Sequence, residues 1–173
     1  TLTGTIATKT SATLIANWPI PDSFYAQIPN AKTGKGTLTC TTYNGNTKIG
    51  TSTCELSVTT DEAKCKPTVS GAVEDKNPST VALTGDKNIL VRYCSTALCT
   101  IATTLNKNAG SILAKTINNV AVSGNTREIP DVETGVFDFW AKDSREYPNS
   151  DKVVKTLVMY EKLTCNVTAQ RTD

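Results

Sequence analysis

The chain of 173 residues contains no histidine. That absence excludes the Ser-His-Asp and Cys-His arrangements and every acid–base scheme built on imidazole. It also removes the commonest metal ligand. The six cysteines contain no x₂ pair, so a zinc site of the usual spacing is absent and no metal or other cofactor is expected. There is no GxSxG, P-loop or GxGxxG pattern. Nothing approaches the run of about 18 apolar residues that a membrane-spanning helix needs. The net charge is only +2, with lysine and arginine spread along the chain, so no basic stripe for nucleic acid is visible. Beginning at Thr1 without methionine, the sequence reads as a processed mature chain or a trimmed one.

Threonine, by contrast, is abundant, at thirty residues. It is β-branched, stiff at χ1 and tolerant of water on an exposed strand face. Short stretches of such residues recur between turn signals. Cys40, Cys54, Cys65, Cys94, Cys99 and Cys165 are even in number and widely spaced. In an oxidising compartment that pattern reads as three disulfides, with 15 possible pairings. The chain is therefore expected to be secreted and extracellular.

The first eighteen residues, TLTGTIATKTSATLIANW, alternate. Leu2, Gly4, Ile6, Ala12, Leu14, Ala16 and Trp18 fall on even positions and mostly polar residues on odd ones. This is the period of a strand with one buried face. A proline-rich link follows, with Phe24 and Tyr25 together with Trp18 as aromatic plugs or a ligand platform. GTLTCTTY at 36–43, the turn NGN at 44–46 and the return strand from Thr47 predict a β-hairpin. TDEAK at 60–64 reads as a charged turn, 65–74 as a strand and 75–80 as a break. VALT at 81–84 and NILVRYC at 88–94 read as two further strands. Leu98, Ile101, Ala102 and Leu105 lie at i, i+3, i+4, i+7, which predicts one short helix over about 96–107. The stretch 111–122 fits either helix or strand, ending in a strand at 119–123, and 123–135 reads as a long loop. GVFDFWAKD at 135–143 is apolar on both faces near its middle and is predicted as a central strand. A last strand is predicted over 151–169, with a bend or break at Glu161–Lys162.

Three local groupings invite chemical readings. Asp138 and Asp143 flank Trp140, with Glu146 beyond. Paired carboxylates beside an aromatic ring could cleave a glycosidic bond, but the stretch reads more simply as a strand entering a solvated turn, with Trp140 in the core. Cys94 and Cys99 have the x₄ spacing of a structural staple rather than of a reactive dithiol. Asn166-Val167-Thr168 is an acceptor pattern for glycosylation. No catalytic residue is assigned, and the chain is not expected to be an enzyme. These elements predict an all-β chain. It is expected as an immunoglobulin-like or Greek-key β-sandwich over 19–173, disulfide-stabilised and with one short helix, preceded by an extended strand at 1–18.

The leader LTGTIATKTSATLIANW resembles the N-terminal extension of donor-strand-exchanged pilins, subunits of extracellular filaments. The resemblance implies that Leu2, Gly4, Ile6, Thr8 and Ala12 enter an open groove of a neighbouring copy. The main chain would complete that copy's sheet by strand addition. It implies a homopolymer, a pilus-like surface filament, as the function. The alternative is a monomeric secreted binding module, such as an effector, antigen or adhesin domain. There the first strand closes its own fold, and loops such as 125–135 and 144–151 carry recognition.

Overall fold

The computed structural model describes residues 21–149, 151–162, 164, 165, 167 and 168. The leader positions Leu2, Gly4, Ile6, Thr8 and Ala12, the aromatic Trp18 and the acceptor Asn166 lie outside the described residues. By its contacts the chain divides into two compact units, and each is discontinuous. Unit one comprises 1–68, 103–114 and 141–150; unit two comprises 69–102, 115–140 and 151–173. The fold is mostly β, with several small sheets and few helices.

Among its described residues, the first element of unit one is a single helical turn, α1 (Asp22–Tyr25), which buries Phe24 and Tyr25. The plug reading of these two aromatics therefore holds. The predicted hairpin follows as β1 (Thr33–Asn44) and β2 (Thr47–Thr59). Gly45 opens its two-residue turn at φ +58°, which suits a type II′ hairpin with glycine in the first central position. The charged stretch after it forms a second short turn of helix, α2 (Glu62–Cys65). Asp61 caps it by accepting a hydrogen bond from the Ala63 amide.

Unit two holds most of the remaining strands: β3 (Thr68–Asp75), β4 (Ile89–Val91), β5 (Ala97–Thr104), β6 (Ile112–Ile117), β7 (Val120–Ala121) and β8 (Thr126–Ile129). β9 (Val136–Asp143), β10 (Val153–Thr156) and β11 (Val158–Tyr160) complete the series. β3, β5, β6 and β9 each run across a boundary between the units. The described strands fall into four sheets, ordered β1-β2, β10-β9-β6-β7, β11-β4 and β3-β5-β8. The predicted central strand is β9, which lies between β10 and β6. Its Phe137, Phe139 and Ala141 are buried in alternation, while Trp140 between them is half-buried. Gly71 lies against the Phe139 ring, where a Cβ would collide with it.

Three expectations are corrected. The segment predicted as helix over 96–107 is the strand β5. Its inward residues Ala97, Cys99 and Ile101 follow a period of two, and β-branched Thr100, Ile101, Thr103 and Thr104 favour the extended backbone. The helix of unit two is instead α3 (Pro78–Thr84), where VALT reads as a strand. Asn77 caps its start, Pro78 occupies its first turn and Gly85 ends it at φ +71°. The predicted last strand over 151–169 is two short ones: it is interrupted at Leu157 and ends at Tyr160, immediately before Glu161–Lys162; β10 pairs with β9 antiparallel and β11 with β4 parallel.

Two smaller differences follow from turn chemistry. Asn118 and Asn119, at φ +49° and +59°, join β6 and β7 in a tight hairpin within the stretch that fits either helix or strand. The long loop contains a short strand, β8, paired with β5.

The expected disulfides are not formed: all six cysteines are free thiols. Cys65 and Cys99 are buried, Cys94 is half-buried, and Cys40, Cys54 and Cys165 are exposed. The hairpin register explains one case. Cys40 faces Ser52 and Cys54 faces Leu38, so the two thiols are diagonal neighbours rather than a directly opposed pair. Among the described residues no three acidic or cysteine side chains gather as a metal site, and no helix is long and apolar enough to cross a membrane.

Candidate functional site

The most distinctive construction in unit one is the hairpin and the buried root that holds it. β1 and β2 pair over twelve rungs, with one irregularity at Thr42/Tyr43. Among the described residues no third strand pairs with either of them. Both outer edges therefore present backbone donors and acceptors without a strand partner. Neither strand contains proline, the residue that most simply blunts an edge. A two-stranded ribbon by itself is marginally stable in water.

The two faces of the ribbon differ. Directly opposed residues share a face, so one face carries Gly34, Gly36, Leu38 and Cys40 opposite Val58, Leu56, Cys54 and Ser52. It holds no charge. The other carries Thr33, Lys35, Thr37, Thr39 and Thr41 opposite Thr59, Ser57, Glu55, Thr53 and Thr51. Its uniform polarity suits water. The uncharged face is nonetheless open: Leu38 is 38% exposed and both thiols are exposed. An open hollow of about 490 Å³ lies where Lys35, Gly36 and Thr37 meet Glu55, Leu56 and Ser57, lined mostly by side chains of the polar face.

The root closes the base of the hairpin. The Thr60 amide donates to the Lys32 carbonyl at 2.8 Å, and the Thr60 hydroxyl donates to the same oxygen at 3.0 Å. The Tyr147 hydroxyl lies 3.0 Å from Thr60 Oγ1 and donates to the Thr60 carbonyl at 3.3 Å. Lys32 Nζ stands 4.9 Å from the centre of the Tyr147 ring, a cation–π contact.

Beneath this lies Arg145, a charged side chain only 1% exposed. Its guanidinium donates from Nε to the Ile28 carbonyl at 3.0 Å, and from Nη2 to the carbonyls of Tyr25 at 2.9 Å and Lys107 at 2.8 Å. One side chain thus ties α1, the link before β1 and the 107 loop together. Asp143 shapes the turn that delivers it: Oδ1 accepts from the amides of Arg145 and Tyr147. Arg145 Nη1 and Asp143 Oδ2 are buried without a hydrogen-bond partner among the described residues. Burial pushes the Cys65 thiol upward; the Arg145 charge and a Thr60 hydrogen bond oppose the shift without cancelling it. The thiol is held protonated and unreactive at neutral pH. On the surface, Asp22 pairs with Lys107 at 2.8 Å, which raises the lysine's pKa through that hydrogen bond.

The predicted carboxylate grouping is not assembled. Alternation along β9 puts Asp138 and Asp143 on opposite faces of the strand. Asp138 pairs with Lys152 at 3.5 Å, Asp143 is consumed by its turn, and Glu146 is exposed at φ +65°. Cys94 and Cys99 are not joined; burial raises the Cys99 thiol from 9.0 to about 11, with Arg127 opposing.

Unit two contains its own buried acid, Asp75. It accepts from the hydroxyls of Thr80 and Ser95 and from the amides of Asn77 and Thr96, which leaves it fully engaged in structure. Beside α3, an apolar groove of about 600 Å³ is bordered by Leu83, Val91, Cys94 and Tyr160, with Ser79 and Lys162 at its rim.

Sequence reasoning found the hairpin from its turn but did not find Arg145, because an arginine in a polar turn carries the pattern of a solvated side chain. No curated protein and no solved structure matches the chain. The family described as siphovirus protein of unknown function (DUF859) matches residues 1–124, which include the leader, the hairpin and α3. With well over half of its length matched, the chain belongs to this siphovirus family.

Proposed function

We propose that the chain is a structural subunit of an extracellular assembly carried by a phage particle. Copies join by adding the N-terminal strand of one to the hairpin of the next. The observation that supports this most is the pair of long, proline-free hairpin edges without a strand partner among the described residues. An edge of that kind is an aggregation hazard unless something pairs with it. The leader is a fitting occupant. Its alternation places Leu2, Gly4, Ile6 and Ala12 on one face. That face extends the uncharged face of the hairpin when the strand is added in plane. Main-chain bonds supply affinity and the alternating side chains supply register.

In this reading the resemblance to donor-strand pilins describes the joining mechanism, and the siphovirus family supplies the setting, a virion rather than a bacterial pilus. An immunoglobulin-like or Greek-key sandwich is then completed between copies. Head-to-tail addition that does not close yields a filament. The root suits this role, since it holds the base of the hairpin against the pull of a bound neighbour. Electron microscopy and light scattering of the full chain beside a chain starting at Pro19 test the proposal. Assemblies from the first and monomers from the second are expected; a Pro19 chain that still polymerises would sink it.

The alternative is a monomeric secreted binding module. The groove beside α3, with Tyr160 half-exposed at its border, favours that reading. It predicts a monomer at high concentration with residues 1–18 protected from protease.

A further inference from the structure

We infer that Asn44 is a site of spontaneous covalent modification. Its side chain cyclises onto the Gly45 amide nitrogen, releases ammonia and, with water as co-reactant, turns the tip of the β1–β2 hairpin into aspartate and isoaspartate. The reaction needs no second copy of the chain and stands apart from the assembly reading.

The chain has thirteen asparagines, and Asn44 alone precedes a glycine. Any side chain on the following residue crowds its amide nitrogen, and glycine has none. The structure leaves the reacting atoms open. Both residues are exposed, and no atom lies within 4 Å of where a Cβ on Gly45 would stand. Most other described asparagines are held by their side-chain amides. Asn77 and Asn106 donate to the carbonyls of Cys94 and Lys66, and the Oδ1 atoms of Asn118 and Asn149 accept from the amides of Asp138 and Ala141. Among the described residues no hydrogen bond holds the Asn44 side chain.

Asn44 ends β1 and pairs with Thr47, and its extended backbone keeps the Gly45 nitrogen away from Asn44 Cγ. Attack waits on opening of that pair. It is the last pair before the turn of a two-stranded ribbon, next to the irregularity at Thr42/Tyr43, so the opening is local. The net worth of one such pair sets the delay, relative to an unstructured peptide, at roughly tenfold. Once the pair opens, the Gly45 nitrogen gives its proton to hydroxide and bonds to Asn44 Cγ. The Cγ–Nδ2 bond breaks, and Nδ2 takes up a proton and leaves as ammonia. Water then opens the cyclic imide. Cleavage at the side-chain carbonyl restores the ordinary main chain as aspartate. Cleavage at the main-chain carbonyl routes the chain through the side chain as isoaspartate. In sum, one amide and one water become one carboxylic acid and one ammonia.

Isoaspartate lengthens the main-chain path by a methylene at a two-residue turn, so the pairs Asn44–Thr47 and Tyr43–Lys48 lose their register. The remaining ten rungs lie beyond the irregularity and already run in a different register from the tip. The change is confined there, and both products add a negative charge to it.

The test incubates the wild-type chain in mildly alkaline buffer and follows its tryptic peptide 36–48 by mass spectrometry, with electron-transfer fragmentation to separate isoaspartate from aspartate. The isolated peptide 36–48 and an Asn44→Gln chain are treated alike. Position 44 is expected to convert faster than any other asparagine of the chain, to give both products, and to lag the free peptide by roughly tenfold. Asn44→Gln, whose side chain has to close a larger ring, should stay intact at the tip. In the converted chain amide exchange should quicken over 43–48 and stay unchanged over 33–41. Conversion at position 44 no faster than at the other asparagines, or a lag beyond about a hundredfold, would overturn the inference, the latter because more than one pair must then open. Aspartate without isoaspartate would overturn it as well, since direct hydrolysis gives that product alone. Quickened exchange reaching 33–41 would overturn the confinement to the tip.

Discussion

Replacing Arg145 should loosen the base of the hairpin by an amount that its geometry predicts. Removal of the guanidinium deletes three charge-assisted hydrogen bonds, to the carbonyls of Tyr25, Ile28 and Lys107. Such bonds contribute about 1.5–3 kcal/mol each. Against this stands the cost of keeping a charge buried, several kcal/mol, with Nη1 unpaired. The balance for Arg145→Ala is a loss of roughly 2–4 kcal/mol, a large part of a typical domain's 5–15 kcal/mol.

The order of variants says more than any one value. Arg145→Met removes the charge but refills the space and should be mildest. Arg145→Lys keeps the charge buried yet cannot reach three carbonyls with a planar fork, so it should be at least as damaging as alanine. Amide hydrogen exchange of the peptide 21–32 reads the local opening directly. A loss of about 3 kcal/mol accelerates exchange by roughly 100-fold. If Arg145→Lys were the mildest of the three, charge rather than the hydrogen-bond fork would hold the root. An effect below about 1 kcal/mol for all three would show that the buried fork contributes little.

Three further outcomes are expected. Gly71→Ala should destabilise unit two by about 1–3 kcal/mol in urea titrations, because the new methyl meets the Phe139 ring. Cys40, Cys54 and Cys165 should react promptly with a disulfide reagent in the monomeric chain at pH 8, and Cys65 and Cys99 only on unfolding, read as a biphasic thiol count. The Cys99 thiol is held up at about 11 against 9.0 when exposed, so the folded state binds its proton more tightly. Its contribution to stability is whole below pH 9 and declines as the pH rises through 11; a Cys99→Ala chain should lose less stability than wild type over that window in thermal melts.

The elements legible in the sequence are those whose local chemistry admits one answer. Asn44-Gly45-Asn46 between threonine-rich runs admits a hairpin, and the apolar run around Phe137 and Phe139 admits an interior strand. β5 reads as a helix from sequence because Leu98, Ile101, Ala102 and Leu105 match a helical face; Ala97, Cys99 and Ile101 match a strand equally, and burial within unit two decides for the strand. For α3 the signals were present in Asn77, Pro78 and Gly85, but the branched Val81 and Thr84 masked them. The paired asparagines 118 and 119 likewise announce a turn. Arg145 had no such signal. Its burial depends on carbonyls far away in sequence, and no local pattern encodes them.

The division of unit one into three stretches, 1–68, 103–114 and 141–150, sets an order of events during synthesis. A chain made from its N-terminus releases the hairpin strands early, while Arg145 and Tyr147 arrive only with the third stretch. Until then the carbonyls of Tyr25 and Ile28 lack their donor, and Thr60 lacks its tyrosine. The hairpin edges thus become firmly mounted only once the stretch 141–150 has been made. A nascent chain carries its ribbon in an unfastened form until Arg145 and Tyr147 emerge, so the exposed edges of β1 and β2 precede the side chains that anchor their base.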